Sequence, residues 1–292
     1  MDEDPRLPVV VGVDASEASL RAARFAADEA RRRRVPLRIV HAVSWPLDSL
    51  AIPPTDLDPA GRLRAGAETV AQWAADAVAG DDLEIRTVVE KGDPVTVLQV
   101  ASADAQLVVV GSRGIGGVTG LLVGSTASGL VAHSHCPVVV LPEETAARVT
   151  GRQSVVVGVE TSRGDADVLE FAFAAAAQRG TDLVAVHAWQ DAVLETAFRS
   201  MGPLVDWAGL AAEEQVALSE TLAGWREKAP DVAVREVVVR DRPARALLSA
   251  GLTAQLVVVG HRRRPALGST THAVLHRATC PVVIVPLPRP GR

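Results

Sequence analysis

Val9-Val10-Val11-Gly12-Val13-Asp14 returns as Val155-Val156-Val157-Gly158-Val159-Glu160, 146 positions later. Each copy is a short apolar run that ends in an acid, and the repeat around it decides the architecture. His41-Ala42 returns as His187-Ala188 at the same offset of 146, Gln106 to Gly111 as Gln255 to Gly260 at 149, and Cys136-Pro137-Val138-Val139 as Cys280-Pro281-Val282-Val283 at 144. A period this long excludes a solenoid and marks two domains. We set them at 1–145 and 152–292. From Gly111 to Cys136 in the first copy and Gly260 to Cys280 in the second, the second is five residues shorter.

Within the first copy, strand-like and helix-like segments alternate. Residues 8–14 read as a strand. Leu20, Ala23, Ala27 and Ala30 then share one helical face, with Ser16 as the expected cap. A strand at 37–43, a loop holding Pro46, Pro53 and Pro54, a helix at 59–79 and a strand at 83–90 follow. Asp93-Pro94 opens a short helix, Asp as cap and Pro at the first position. Strand 106–111, a Gly-rich loop, helix 124–134 and strand 137–141 complete the copy. Alternation of this kind predicts an α/β fold with right-handed crossovers and an open parallel sheet in each copy, helices on both faces. Continuous Val runs fit strands covered on both sides.

Composition agrees. The chain of 292 residues is 48% hydrophobic and 22% charged, which excludes a disordered chain, and it has no tyrosine. The cores must therefore come from Val, Leu, Ile and Ala. A net charge of -5 gives no general attraction to a nucleic-acid backbone. The run Arg31 to Arg34 closes a helix, where cations complement the dipole. Cys136 and Cys280 hold matching places before a Pro and a strand, so no disulfide and a reducing compartment are expected. The opening MDEDPRLPVVVGVD is acidic and carries no secretory pattern, and no apolar run is long enough to span a membrane. The expected location is the cytoplasm.

The segment richest in chemistry runs from Gly111 through Ser112, Arg113, Gly114, Ile115, Gly116 and Gly117 to Gly124, Ser125 and Thr126. Glycines there leave backbone N–H groups unshielded, able to face phosphate oxygens. Gly124-Ser125-Thr126 opens a helix whose N-terminus favours anions, and Arg113 adds a cation. The competing account of these glycines is a mobile surface loop. No Walker motif occurs, and nothing Gly-rich follows the first strand as a Rossmann fingerprint requires. Asp14 stands where the first strand ends. It either accepts hydrogen bonds from a ribose or base, or caps the following helix.

The spacing Gly111-x2-Gly114-x9-Gly124-Ser125 resembles that of ATP-binding universal stress proteins. So do Val-Gly-Val-Asp14, Lys91-Gly-Asp-Pro94 and Cys136-Pro-Val-Val-Val, and the resemblance covers the chain twice. It implies a five-stranded sheet of order 3-2-1-4-5 in each domain. It implies adenine recognition by Asp14 and the backbone near Gly12 and Val43, with phosphates held by residues 111–117 and 124–126. It further implies ATP or another adenine nucleotide as ligand, with magnesium as a frequent companion, a regulatory role in stress or growth arrest, and pairing through the last strands. That pairing joins the two copies or two chains. The protein partner is not specified by it. Two other functions stand beside this one: an interaction scaffold in which nucleotide is incidental, and a slow ATP hydrolase.

No nucleophile elbow is present, and the histidines form no evident relay, so no catalytic residue is assigned. His133-Ser134-His135-Cys136, and His272 and His276 with Cys280, are dense in metal-ligand types, but both sets fall at helix ends where histidine is favourable in its own right; no metal site is assigned. His41 and His187 read as satisfied groups near the core. Trp73 and Trp225 occupy corresponding helices and read as core or interface packing. Trp189 replaces Val43 and either flanks a ligand or packs.

The second copy departs from the first at several ligand positions but keeps Gly268-Ser269-Thr270 at the helix start. Glu160 replaces Asp14, Arg262 aligns with Arg113, and Arg263 with Gly114. Gly158, Glu160, Gly260, Arg262, Gly268, Ser269 and Thr270 make a possible second site for an anion. The alternative is a degenerate copy kept for packing.

Overall fold

A computed structural model describes residues 7–43, 59–115, 123–143, 154–161, 166–189, 206–262 and 267–287. The chain divides into two compact units, Met1–Glu143 and Glu144–Arg292.

In the first unit the order is β1 (Val9–Gly12), α1 (Glu17–Arg33), β2 (Leu37–Val43), α2 (Pro59–Asp76), β3 (Ile85–Lys91), α3 (Pro94–Ala101), β4 (Leu107–Gly111), α4 (Ser125–His133) and β5 (Val138–Leu141). Its strands lie in the order β3-β2-β1-β4-β5. All neighbours run parallel, with Val9 opposite Leu37 on one side and Leu107 on the other. The second unit repeats this with β6 (Val155–Gly158), α5 (Ala166–Arg179), β7 (Leu183–Ala188), α6 (Trp207–Lys228), β8 (Val234–Val239), α7 (Pro243–Gly251), β9 (Leu256–Arg262), α8 (Ser269–Arg277) and β10 (Val282–Leu287). Its order is β8-β7-β6-β9-β10, again parallel. The α/β fold and the 3-2-1-4-5 order therefore hold in each unit.

The Val runs become central strands because both their faces are covered. Val9, Val10 and Val11 have no exposed surface, nor do Ala22, Ala23, Ala26, Ala27 and Ala30 on α1. Small Ala side chains let α1 lie close on β1 and β4, while α2 covers β2 and β3 and α3 packs against α4. The winding reverses between β1 and β4, so a crevice opens beyond their carboxyl ends.

Local signals mostly act as expected. Ser16 caps α1, accepting the Ser19 N–H at 3.1 Å, and Asp93 caps α3, accepting the Thr96 N–H at 3.1 Å. Several ends shift. The first strand closes at Gly12, although Val13 still donates to the Val40 carbonyl at 2.9 Å. The second helix stops at Asp76, not 79, where Val78 turns back onto the Ala75 carbonyl at 3.1 Å, ahead of Gly80. The third strand covers 85–91 in place of 83–90, and the helix expected over 124–134 covers 125–133. The loop with Pro46, Pro53 and Pro54 lies outside the described residues.

The two tryptophans diverge. Trp225 stacks on Phe173 with ring centroids 5.9 Å apart, as packing requires. Trp73 keeps 39% of its surface exposed, so it is not a core residue of its unit. The arginine run is engaged in ion pairs: Arg31 with Asp82 at 3.0 Å, and Arg32 and Arg33 with the buried Glu29.

Candidate functional site

The first site forms where β1 and β4 end. Asp14 lies two residues past β1. One carboxylate oxygen accepts from the Ser16 N–H at 3.1 Å and from the Ser16 hydroxyl. The other accepts the Ile115 N–H at 2.9 Å. Burial opposes ionisation of Asp14, but the Ser16 hydroxyl and the N–H groups of Ile115 and Ser16 outweigh it and hold the carboxyl below its usual range. Asp14 is thus not the helix cap, a role Ser16 takes. It ties the end of β1 to the loop after β4.

A Cβ on Gly114 would collide with an Asp14 carboxylate oxygen, so a side chain there would have to displace Asp14. The loop's two ends are also clasped: Ser112 donates its N–H to Leu141 at 2.7 Å, and Gly124 donates its N–H to the Ser112 carbonyl at 2.7 Å. Gly124 then heads α4 with no side-chain cap, so the first N–H groups of that helix keep their hydrogen-bonding capacity. The Ser112 hydroxyl is buried and has no partner among the described residues. Arg113 pairs with Glu143 through its terminal nitrogen, which tempers the cation expected from sequence.

These groups rim a cavity of about 420 Å³. Its inner wall is apolar, with Val40, Ala42, Pro94, Leu98 and Val110. Its mouth carries Asp14, Gly111, Ser112, Arg113, Gly114, Gly124, Ser125 and Thr126. Gly12 also lines it, and a Cβ there would come within 2.7 Å of Leu98, so this glycine lets α3 close over β1. A recess of this size with an apolar wall and N–H donors at its mouth can take a planar base and an attached anion. Ile115 contributes its backbone N–H while its side chain is exposed. Val43 is not brought into the cavity wall, and its carbonyl accepts the Gly92 N–H at 3.1 Å. Gly116 and Gly117 lie outside the described residues.

The second unit holds a cavity of about 700 Å³ at the matching place. Gly158, Glu160, Gly260, Arg262, Gly268 and Thr270 line it, and Ser269 does not. Here the acid takes a different partner. Arg262 donates to the Glu160 carboxylate at 2.6 Å, joining the ends of β6 and β9 by an ion pair. The extra methylene of Glu supplies the reach. His187 also lines this cavity, with Nδ1 3.0 Å from the Val159 carbonyl and Nε2 2.9 Å from a Glu214 carboxylate oxygen. Sequence reasoning missed both the ion pair and Glu214. The alignment of Arg262 with Arg113 opposite a longer acid was the available signal for the first. For Glu214, on a long mixed helix, none was. Arg263 and Arg264 lie outside the described residues.

Other candidates resolve locally. Trp189 does not line the second cavity; its ring faces Trp207 at 6.3 Å, and the Arg240 guanidinium lies 3.4 Å above Trp207. His41 has Nδ1 2.8 Å from the Val13 carbonyl. His133 has Nδ1 2.8 Å from the Gly129 carbonyl, and His135 lies 3.3 Å from the Ser102 hydroxyl. Among the described residues no three or more His, Cys, Asp or Glu side chains converge as a metal site. Both cysteines are free and buried, and burial pushes the Cys280 thiol up to about 12, which leaves it unreactive. No helix among the described residues is long and apolar enough to cross a membrane.

The sequence model of the Universal stress protein family matches residues 6–142 and again 151–286. A universal stress protein of Mycobacterium tuberculosis strain H37Rv is 37% identical over 291 residues, covering 95% of this chain and 96% of the relative. Another from the same strain is 38% identical over 293 residues, covering 94% and 96%. In fold, the chain is similar to the crystal structure of a universal stress protein from Archaeoglobus fulgidus, with a TM-score of 0.70 at 20% identity, covering 96% of this chain and 99% of that one. The repeated motifs, the repeated sheet order and these full-length matches agree, and the chain belongs to the universal stress protein family, with two family domains in tandem.

Proposed function

We propose that the first unit binds ATP, or another adenine nucleotide, and that the protein acts as a nucleotide-responsive regulator in stress or growth control. One observation carries this reading: the Asp14–Ile115 hydrogen bond, with Gly114 close against Asp14, brings the start of the Gly-rich loop to a cavity whose opposite lip is the uncapped start of α4. The base lies against Val40, Ala42 and Leu98. The phosphates meet the Ser112 hydroxyl and the N–H groups and hydroxyls of Ser125 and Thr126. Arg113 reaches a phosphate by exchanging Glu143 for it. Magnesium enters with the triphosphate and is shared with its oxygens. Residues 116 and 117 belong to the same phosphate loop in this reading.

The domains run 1–145 and 152–292, the protein works in the cytoplasm, and β5 and β10 are its assembly edges. Val139 and Val283 are 1% and 0% exposed, so charges placed there would unfold the sheets. Assembly is better measured by sedimentation of the intact chain.

Mass spectrometry of the small molecule released when the purified protein is denatured identifies the ligand, and calorimetry with ATP, with and without magnesium, measures it. An adenine nucleotide in the first and saturable heat in the second are expected. No adenine nucleotide and no heat would leave the interaction scaffold as the better account. Steady release of phosphate would make the protein a slow ATP hydrolase.

A further inference from the structure

All seven histidines of the chain lie among the described residues. Five have protein partners: His41, His133, His135 and His187 as given above, and also His261. His272 and His276 differ. They are four apart on α8, and their rings stack with centroids 4.2 Å apart and planes 28° from parallel. Among the described residues no group hydrogen-bonds either imidazole, so each ring meets the other with its lone pair unspent. His272 is exposed and His276 half-buried.

We propose that His272 and His276 form a two-imidazole chelate for a borderline divalent cation such as copper(II), nickel(II) or zinc(II), with water in the remaining positions. Residues four apart on a helix lie one above the other, which is the spacing two imidazoles need to share one ion. Imidazole selects these metals over magnesium or calcium, which prefer oxygen ligands. Chelation needs the exposed His272 to turn so that one nitrogen of each ring faces the same ion. His276 is in the last turn of α8, where the partial negative charge of the helix end favours a cation. The adjacent Arg277 opposes it, though it is exposed to solvent and well screened. The pair belongs to the second unit alone: α4, aligned on Gly124-Ser125-Thr126 with Gly268-Ser269-Thr270, carries Ser128 and Ala132 at these places.

The test titrates copper(II) and nickel(II) separately into the full-length protein, following heat and histidine C–H proton resonances. Wild type is expected to bind a single tight ion, with the signals of these two imidazoles broadened first. His272→Gln and His276→Gln should each weaken binding by roughly tenfold or more, because one imidazole lacks the effective concentration supplied by its neighbour. Magnesium should not compete. Unchanged melting of the metal-free variants shows that the fold is retained. If one variant melts early, the wild-type resonances decide alone. Affinity unchanged from wild type in either variant, or first broadening at His133 or His135, overturns the proposal.

Discussion

Ile115 donates its backbone N–H to the Asp14 carboxylate at 2.9 Å across 101 residues of sequence, and the Gly114 next to it has no room for a side chain against the same oxygens. The strand-end acid and the Gly-rich loop are therefore one device. Gly114→Arg should abolish ATP binding, because its Cβ alone would displace Asp14. Gly124→Asp should do the same from the opposite lip by placing a carboxylate where phosphate is expected. Both substitutions fall outside the packed strands, so circular dichroism should remain native while calorimetry loses the ATP signal. Undiminished binding in either variant would move the site elsewhere.

Ser16 serves both halves of this arrangement. Its hydroxyl oxygen accepts the Ser19 N–H at 3.1 Å and its hydrogen goes to Asp14. Ser16→Ala should cost about 1 kcal/mol from the lost helix cap. It should also weaken ATP binding, since Asp14 loses a tether. Urea unfolding and calorimetry on the same preparation separate the two effects. A stability loss with no change in affinity would show that Ile115 alone positions the carboxylate.

Asp14 also predicts a pH dependence. Its carboxyl is held below the usual 3.8, so the folded state favours the ionised form. That contribution is fully present above the unfolded value and is lost as pH falls through the lower folded value. The stability advantage of wild type over Asp14→Asn should be level from neutrality down to about pH 5 and shrink below about pH 4. Urea midpoints across that range measure it. An advantage that grew on acidification would contradict the hydrogen-bond pattern.

Much of this was legible because the determinants are local or repeated. Val9 to Val11 and Val155 to Val157 announce buried strands through composition alone, and Asp93-Pro94 announces a capped helix. Gly114 could be read as a loop glycine, but its contact with Asp14 requires β1 and β4 to be neighbours, which is a matter of topology. Val43 and Trp189 show the limit. Both stand one residue or less from a strand's last pair, and whether such a position turns into the crevice depends on the twist of the sheet and on Gly92 or Trp207 beside it. The His187–Glu214 pair joins a strand to a helix that has no marked apolar face, so no periodicity pointed to it.

The two units should differ as binding sites, although the second has the larger cavity. Glu160 is held by Arg262 at 2.6 Å, so an incoming anion must first break an ion pair that half-exposed groups share. In the first unit the corresponding acid is satisfied by two backbone N–H groups and a hydroxyl and, among the described residues, holds no arginine. The second loop is five residues shorter and cannot follow the same path around a triphosphate. Titration with ATP should give one strong site per chain, abolished by Gly124→Asp and retained in Ser269→Ala, since Ser269 does not line its cavity. Glu160→Gln should strengthen a second, weaker site by releasing Arg262, with the gain largest at low salt. Two equivalent tight sites in wild type, or a strong site lost only on changing Ser269, would mean that the Glu160–Arg262 pair opens freely to the nucleotide.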